Sequence, residues 1–115
     1  MAPSELATFN ASVSTTEISL MTGSAYSSAS PQTSDYTIQV FISFENLAAG
    51  DVYRIRIYEK VIAGGTQLPM HELFVSGGQS KGEPFPALMV MHGWDVTALK
   101  VSGTDRTLIG SVRGV

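Results

Sequence analysis

The feature that most constrains this chain is a pair of alternating segments between residues 36 and 62. In Tyr36–Glu45 and again in Asp51–Ile62, apolar side chains recur at every second position and mostly polar ones lie between them. Because successive side chains of a strand point to opposite faces, each segment predicts a β-strand with one buried face. The residues expected to face the core are Tyr36, Ile38, Val40, Ile42, Phe44, Tyr53, Ile55, Ile57 and Val61.

Short links suggest how these strands pair. The link Asn46–Gly50 ends in a glycine, which can adopt the positive φ of a tight turn, so it predicts an antiparallel hairpin. Farther along, Trp94–Val101 and Thr107–Arg113 are joined by Ser102–Arg106, which contains turn-forming residues. This arrangement predicts a second hairpin.

The remaining strands are shorter or less regular. They are expected at Leu6–Ser14, Thr16–Met21, Gln67–Ser76 and Phe85–Met91, and Pro69 places its strand at a sheet edge or beside a bulge. The total is about eight short strands without helical periodicity. We therefore expect one all-β domain of 115 residues, an antiparallel β-sandwich that is immunoglobulin-like or jelly-roll-like.

Two segments fall outside the expected strands. Residues 1–5 form an N-terminal arm, which Pro3 keeps out of a helix. Residues 22–35 form a long loop rich in Ser and Thr, and a loop of this length is usually functional or disordered. Its large side chain, Tyr26, is expected either to anchor the loop to its own domain or to contact a partner.

Composition excludes several classes of function. The chain has no cysteine, and so it has no disulfide, thiolate metal site or cysteine nucleophile. Its net charge is −3, and no cluster of cations suggests a nucleic-acid partner. No apolar run approaches the roughly 18 residues of a membrane span. The beginning of the chain does not resemble a secretory signal, so we expect a soluble protein that is not exported by that route.

The residues that most often carry catalysis or hold ligands are sparse. His71 and His92 could join Glu72 and Asp95 at a metal site, but His71 and Glu72 are adjacent on a strand and should point to opposite faces. The loop Gly77–Gly82 has the outer glycines of a phosphate-binding loop, but the required Lys and Ser or Thr do not follow. We expect no catalytic residue, no cofactor and no metal, and hence no enzyme.

Aromatic residues are the remaining candidates for binding. Phe41 lies among polar residues on the strand face that should be wet, which favours packing of this face on a second sheet or subunit. Trp94 is more typical of a core or rim position, although Trp94 or Tyr58 could also stack on sugar rings.

Three strings, Asp51–Lys60, Gly93–Thr97 and Gly103–Arg106, resemble small all-β virion proteins of tailed bacteriophages, most of all capsid decoration (cement) proteins. The likeness covers roughly residues 51–113. It implies a non-enzymatic structural protein that binds the outside of the expanded head and stabilises capsomer contacts. The implied partners are the major capsid protein and copies of the chain itself, as a homotrimer on the virion surface.

The resemblance names no contact residues, so the candidate contacts come from the N-terminal arm with the adjoining Leu6, from the loop at residues 24–35 and from the wet strand face. The expected interface residues are Ala2, Pro3, Leu6, Tyr26, Pro31 and Phe41. Two alternatives remain open. One is a receptor- or carbohydrate-binding module of a tail fibre or baseplate, and the other is a head–tail connector or tail component, which would assemble as a hexamer or dodecamer.

Overall fold

Nine β-strands, without a helix, form the described part of the chain in the computed structural model, which covers residues 3–29, 31–77 and 82–115. The strands are β1 Ser4–Val13, β2 Ile18–Ser19, β3 Tyr36–Ser43, β4 Val52–Lys60, β5 Gln67–Ser76, β6 Gly82–Pro84, β7 Leu88–Val90, β8 Trp94–Ser102 and β9 Arg106–Gly114.

The strands form two antiparallel sheets. The first has the order β1-β9-β3, and the short strands β6 and β7 both pair with the free side of β3. The second has the order β2-β8-β4-β5. Because β6 and β7 share one position, each sheet is four strands wide, which confirms the predicted all-β antiparallel sandwich of about eight strands.

The core lies between the inner faces of the two sheets, where the alternation of the sequence is largely confirmed. Val40 pairs with Val112 in the first sheet, and Ile55 pairs with Ala98 in the second. Tyr36 is only half-buried. Val61 is 73% exposed, so its predicted core position is wrong: β4 ends at Lys60 after a bulge, which displaces the alternation. The largest fully buried side chains are Trp94, Tyr53, Phe44, Phe85, Ile38, Ile42, Ile55, Ile57 and Leu108.

Both predicted hairpins are wrong. Strands β3 and β4 belong to different sheets, and so do β8 and β9, so each short link carries the chain across the sandwich. Alternation cannot distinguish a hairpin within one sheet from a link that crosses between sheets, because a strand in either sheet turns its apolar face towards the same core. The turn between β4 and β5, by contrast, joins two strands that pair with each other.

A buried carboxylate holds the two crossing links together. The Asp51 side chain accepts hydrogen bonds from the backbone N–H groups of Ala48 (2.8 Å) and Thr104 (2.9 Å) and from Arg106 Nε (2.8 Å). The two backbone hydrogen bonds are the main cause that lowers the pKa of Asp51. Gly103 has φ +95° and lies so close that a Cβ there would collide with Asp51.

The Tyr53 hydroxyl adds a second connection to the same link. It donates a hydrogen bond to the Thr104 carbonyl oxygen (2.7 Å) and accepts one from the Arg106 N–H (2.6 Å). Tyr53 is fully buried beside β8, so its ring belongs to the core while its hydroxyl reaches the β8–β9 link. We call Asp51 and Tyr53, with the link residues 103–106 that they hold, the crossing clamp.

Strand ends differ from the predictions at several places. The chain pairs from Ser4 onward, so the last two residues assigned to the N-terminal arm belong to β1. The strand expected at Thr16–Met21 shrinks to Ile18–Ser19, and the one expected at Phe85–Met91 shrinks to Leu88–Val90. Gln67–Ser76 is confirmed as β5, an edge strand with a bulge next to Pro69.

Replacing Tyr53 with phenylalanine tests the crossing clamp. The ring remains, but the Thr104 carbonyl and the Arg106 N–H lose their buried partner, so we expect the free energy of unfolding to fall by about 1–3 kcal/mol. Urea denaturation followed by fluorescence measures this change. The matched control is Tyr36→Phe, since the half-buried Tyr36 has no hydroxyl hydrogen bond to another described residue. Equal effects of the two substitutions would contradict the role of the clamp.

Candidate functional site

The long loop at residues 22–35 packs on the second sheet. The backbones of Gln32 and Trp94 exchange two hydrogen bonds, from Gln32 N to Trp94 O (2.7 Å) and from Trp94 N to Gln32 O (3.0 Å). The indole N–H of Trp94 donates to the Ser34 carbonyl (2.9 Å), and the Tyr26 N–H donates to the Glu17 carbonyl (2.9 Å). The described part of this loop is therefore tied to the sandwich at both of its ends.

The Tyr26 side chain also anchors the first half of the loop to its own domain. This is the first of the two roles considered for Tyr26. Its ring stacks on Tyr58 of β4 with centroids 4.5 Å apart, and its hydroxyl donates to Gln67 Oε1 (2.6 Å). Burial, followed by the nearby Tyr58 and Glu17, raises the pKa of Tyr26 to about 12. The stacking and the hydroxyl hydrogen bond of Tyr26 therefore hold the loop against β4 and β5.

Glu17 organises a polar layer between the loop and the outer face of the second sheet. Its Oε2 atom accepts hydrogen bonds from Thr97 Oγ1 (2.6 Å) and from the Tyr58 hydroxyl (2.8 Å), and it lies 3.4 Å from Arg54 Nη2. On the same face, Arg56 Nε pairs with Glu72 Oε2 at 2.6 Å. Both arginines are therefore paired with acids of the same domain.

Asp95 forms the floor of a small pocket beneath the loop. It is 1% exposed and accepts hydrogen bonds from Ser19 Oγ (2.6 Å) and from the Val96 N–H (2.8 Å), both on its Oδ1 atom. Burial is the main cause that raises the pKa of Asp95, and the charge of Glu17 adds to the effect. The pocket has a volume of about 260 Å³ and is lined by Ser19, Thr22, Ser24, Ala25, Ser27 and Asp95.

A second site is an exposed apolar surface where the edge strand β5 meets the segment around β7. It surrounds a groove of about 410 Å³. Beneath it, Glu59 accepts hydrogen bonds from the backbone N–H groups of Met91 (2.6 Å) and His92 (2.9 Å), which fixes the segment after β7 against β4. We call the exposed members the methionine surface: Val61, Leu68, Met70, Met89 and Met91.

The methionine surface was missed by sequence reasoning because its members come from three separate parts of the chain. Met89 is 70% exposed, more than any other methionine that the structure describes, and it lies on β7 opposite Thr37. One signal was present in the sequence: the continuous apolar run Ala87–Met91 cannot bury both of its faces on a strand at the sheet edge.

The residues expected at an interface occupy different parts of the molecule. Pro3 is exposed near the end of β9, and Leu6 is half-buried against the core. Phe41 is 38% exposed on the outer face of the first sheet, as the sequence predicted, with the Arg113 guanidinium 5.1 Å from its ring centroid. Ala2 lies outside the described residues.

Tyr26 and Pro31 belong to the other side of the sandwich. Both are half-buried in the loop that packs on the second sheet, and Pro31 lies beside Gly93. Phe41 projects from the opposite outer face, so the structure does not gather the expected interface residues into one surface.

Neither aromatic residue considered for sugar stacking has an accessible ring. Trp94 is 1% exposed, as expected for a core residue. Tyr58 is 6% exposed and lies beneath the ring of Tyr26. The carbohydrate-binding interpretation therefore loses the two side chains on which it rested.

The His71 side chain packs against an aromatic ring of the core. His71 meets the ring of Phe85 edge-on, with centroids 5.3 Å apart, while the adjacent Glu72 pairs with Arg56 on the opposite face, as strand geometry predicted. Within residues 3–29, 31–77 and 82–115, no three His, Cys, Asp or Glu side chains are grouped as a metal ion would require.

Comparisons of the chain with models of protein families, with curated proteins and with solved structures gave no match in any of the three. In the part of the chain that the structure describes, no helix has the length and apolar character needed to cross a membrane.

The buried Asp95 gives a prediction about pH. Because its pKa is higher in the folded state, stability should fall as the pH rises from the unfolded value, about 3.9, through the folded value. Asp95→Asn keeps an oxygen that can accept from Ser19 and Val96 but carries no charge. We expect the variant to gain stability relative to the natural chain as the pH rises over that range.

Denaturant unfolding of both proteins between pH 3 and pH 8 measures this difference. The control is Asp35→Asn, which removes a carboxylate from an exposed position. A stability difference between the Asp95 variant and the natural chain that does not change with pH would contradict a raised pKa of the buried Asp95 carboxylate.

Proposed function

We propose that this protein is a non-enzymatic structural protein of a tailed-bacteriophage virion, a capsid decoration protein that binds the outside of the expanded head and stabilises contacts between capsomers. Its partners in this proposal are the major capsid protein and copies of itself, as a homotrimer. The observation that carries the proposal is the methionine surface, an exposed apolar area on a small β-sandwich. The resemblance of three strings to virion proteins supplies the class of partner.

The chemistry of the methionine surface suits adhesion. Burial of exposed apolar area in a protein contact contributes roughly 25 cal/mol per Å² removed from water. Methionine side chains are flexible and polarisable, so they adapt to irregular partner surfaces. Large exposed apolar patches of this kind commonly mark interaction sites.

A domain of this size is large enough to provide the contact area that binding to a capsid lattice requires. A specific contact buries on the order of 1,000 Å² or more. In a trimer, several weak contacts act together, and the second and third contacts form at a high effective concentration. A small sandwich can therefore bind firmly if its contacts are repeated by symmetry.

The three strings that carry the resemblance lie together in the fold. Asp51–Lys60 contains β4, Gly93–Thr97 begins the neighbouring strand β8, and Gly103–Arg106 is the link held by the crossing clamp. The resemblance therefore concerns the scaffold of the second sheet. It leaves the contact surface to be identified from exposure and chemistry.

Binding to undecorated, expanded capsids tests this proposal. Cryo-electron microscopy of capsids incubated with the purified protein should show added density at symmetry-related sites on the outer surface. Met89→Asp places a charge in the methionine surface, and we expect about tenfold weaker binding or more. The matched control is Val101→Asp, because Val101 is 49% exposed near the opposite end of β8.

Two outcomes would contradict the proposal. The first is the absence of added density with the natural protein. The second is a hexamer or dodecamer in native mass spectrometry, which would favour a connector or tail component. A trimer that binds capsids but is equally impaired by the two substitutions would retain the function and exclude the methionine surface as the contact.

A further inference from the structure

The pocket above Asp95 has an unusual combination of a deeply buried carboxylate and an open hydroxyl-lined wall. Asp95 accepts hydrogen bonds from described residues on Oδ1 alone, from Ser19 Oγ and the Val96 N–H, and no hydrogen bond from a described residue reaches Oδ2. Thr22, Ser24 and Ser27 are exposed, so the wall that faces Asp95 is also the part of the pocket that solvent reaches. A ligand could therefore enter without disturbing the core.

Among the residues that the structure describes, no cationic side chain pairs with Asp95. The neighbouring acid, Glu17, lies 3.4 Å from Arg54 Nη2, and the four ion pairs among the described residues use Glu17, Glu72, Asp105 and Asp51. Asp95 has a buried carboxylate without such a partner. A buried charge without a counter-charge is costly, so a cation in the pocket would be stabilised and would stabilise the fold.

We propose that the Asp95 pocket binds a primary ammonium group, with Asp95 as the counter-ion and the Ser and Thr hydroxyls of the loop as additional acceptors. An ammonium group has three donors and needs a few acceptors converging on one point. The pocket volume of about 260 Å³ accommodates such a group with a short alkyl chain. This inference concerns a different site from the methionine surface and is independent of the proposed function.

The acceptor set favours an ammonium group over a divalent metal ion. Calcium takes about six to eight oxygen ligands, usually with several carboxylates, and magnesium requires near-octahedral geometry. The pocket contributes one carboxylate, and the described residues offer no cluster of three acidic or histidine side chains. One carboxylate with several hydroxyls is better matched to a singly charged donor.

Some of the hydroxyl oxygens already have their positions fixed. Ser19 Oγ accepts the backbone N–H groups of Met21 (3.2 Å) and Thr22 (3.3 Å) while donating to Asp95. Thr22 Oγ1 accepts the Ser24 N–H (3.2 Å), and Ser27 Oγ accepts the Ala29 N–H (3.2 Å). These local bonds orient the hydroxyls before a ligand arrives, so less conformational entropy is lost on binding.

Titration with n-butylammonium chloride tests the proposal, with sodium chloride at equal ionic strength as the reference. In ¹H–¹⁵N NMR spectra at pH 7, the amide signals of Ser19, Thr22, Ser24 and Val96 should shift together and saturate. Asp95→Asn should weaken binding by about tenfold or more, the range expected when a hydrogen bond to a charged group is lost. Asp35→Asn, a loss of charge at an exposed position, should leave binding unchanged.

A second probe distinguishes two sources of the ammonium group. Nα-acetyl-lysine methylamide represents a lysine side chain of a partner protein, and its binding would indicate a protein ligand; selective binding of butylammonium would indicate a free amine. The inference would be overturned by an unchanged spectrum up to about 100 mM probe, well above the millimolar affinity of a weak site. Equal shifts in the Asp95→Asn protein, or saturable shifts with calcium chloride but not with butylammonium, would also overturn it.

Discussion

The architecture depends on the hydrogen bonds that Asp51 and Tyr53 make to the β8–β9 link. Two short connections cross between the sheets at the same end of the sandwich, and a crossing connection leaves backbone groups without a strand partner. Asp51, which directly precedes β4, and Tyr53, which lies in β4, satisfy those groups from the edge of the second sheet's strand. The position of the second sheet over the first is thereby fixed by a few buried polar contacts in addition to apolar packing.

The loop covers one outer face of the sandwich and leaves the other uncovered. The second sheet carries a polar layer, formed by Glu17, Arg54 and Tyr58, and the loop that includes Tyr26 closes over it. The first sheet leaves its outer face open, with Phe41 and Ile109 partly exposed. The pocket above the buried Asp95 carboxylate therefore lies under the loop. Exposed apolar residues lie at the edges and on the outer face that the loop does not cover.

The sequence was sufficient for most of the strands and most of the core but not for the pairing of the strands. Alternation at Ile38–Ile42 and Ile55–Ile57 identified the inward positions because burial of one face is a local property of a strand. The same pattern arises whether the next strand lies beside it or across the core, so the links at 46–50 and 102–106 were misassigned as hairpins. The deciding contacts, such as Asp51 with Thr104, are distant in sequence.

The candidate sites were hidden from sequence reasoning for the same reason. Asp95 and Ser24 lie far apart along the chain and meet only because the loop folds back over β8. Trp94 shows the opposite case, since its burial followed from its place at the start of an apolar strand. Phe41 also followed from its strand position, on the face away from the core.

NMR measurement of strand pairing tests directly whether both short links cross between the sheets. Cross-strand nuclear Overhauser effects between backbone protons should connect β3 with β9, for example Val40 with Val112, and β4 with β8, for example Ile55 with Ala98. We predict these contacts and no backbone contacts that run along β3 and β4 as a ladder. A continuous ladder between β3 and β4, or between β8 and β9, would contradict the account.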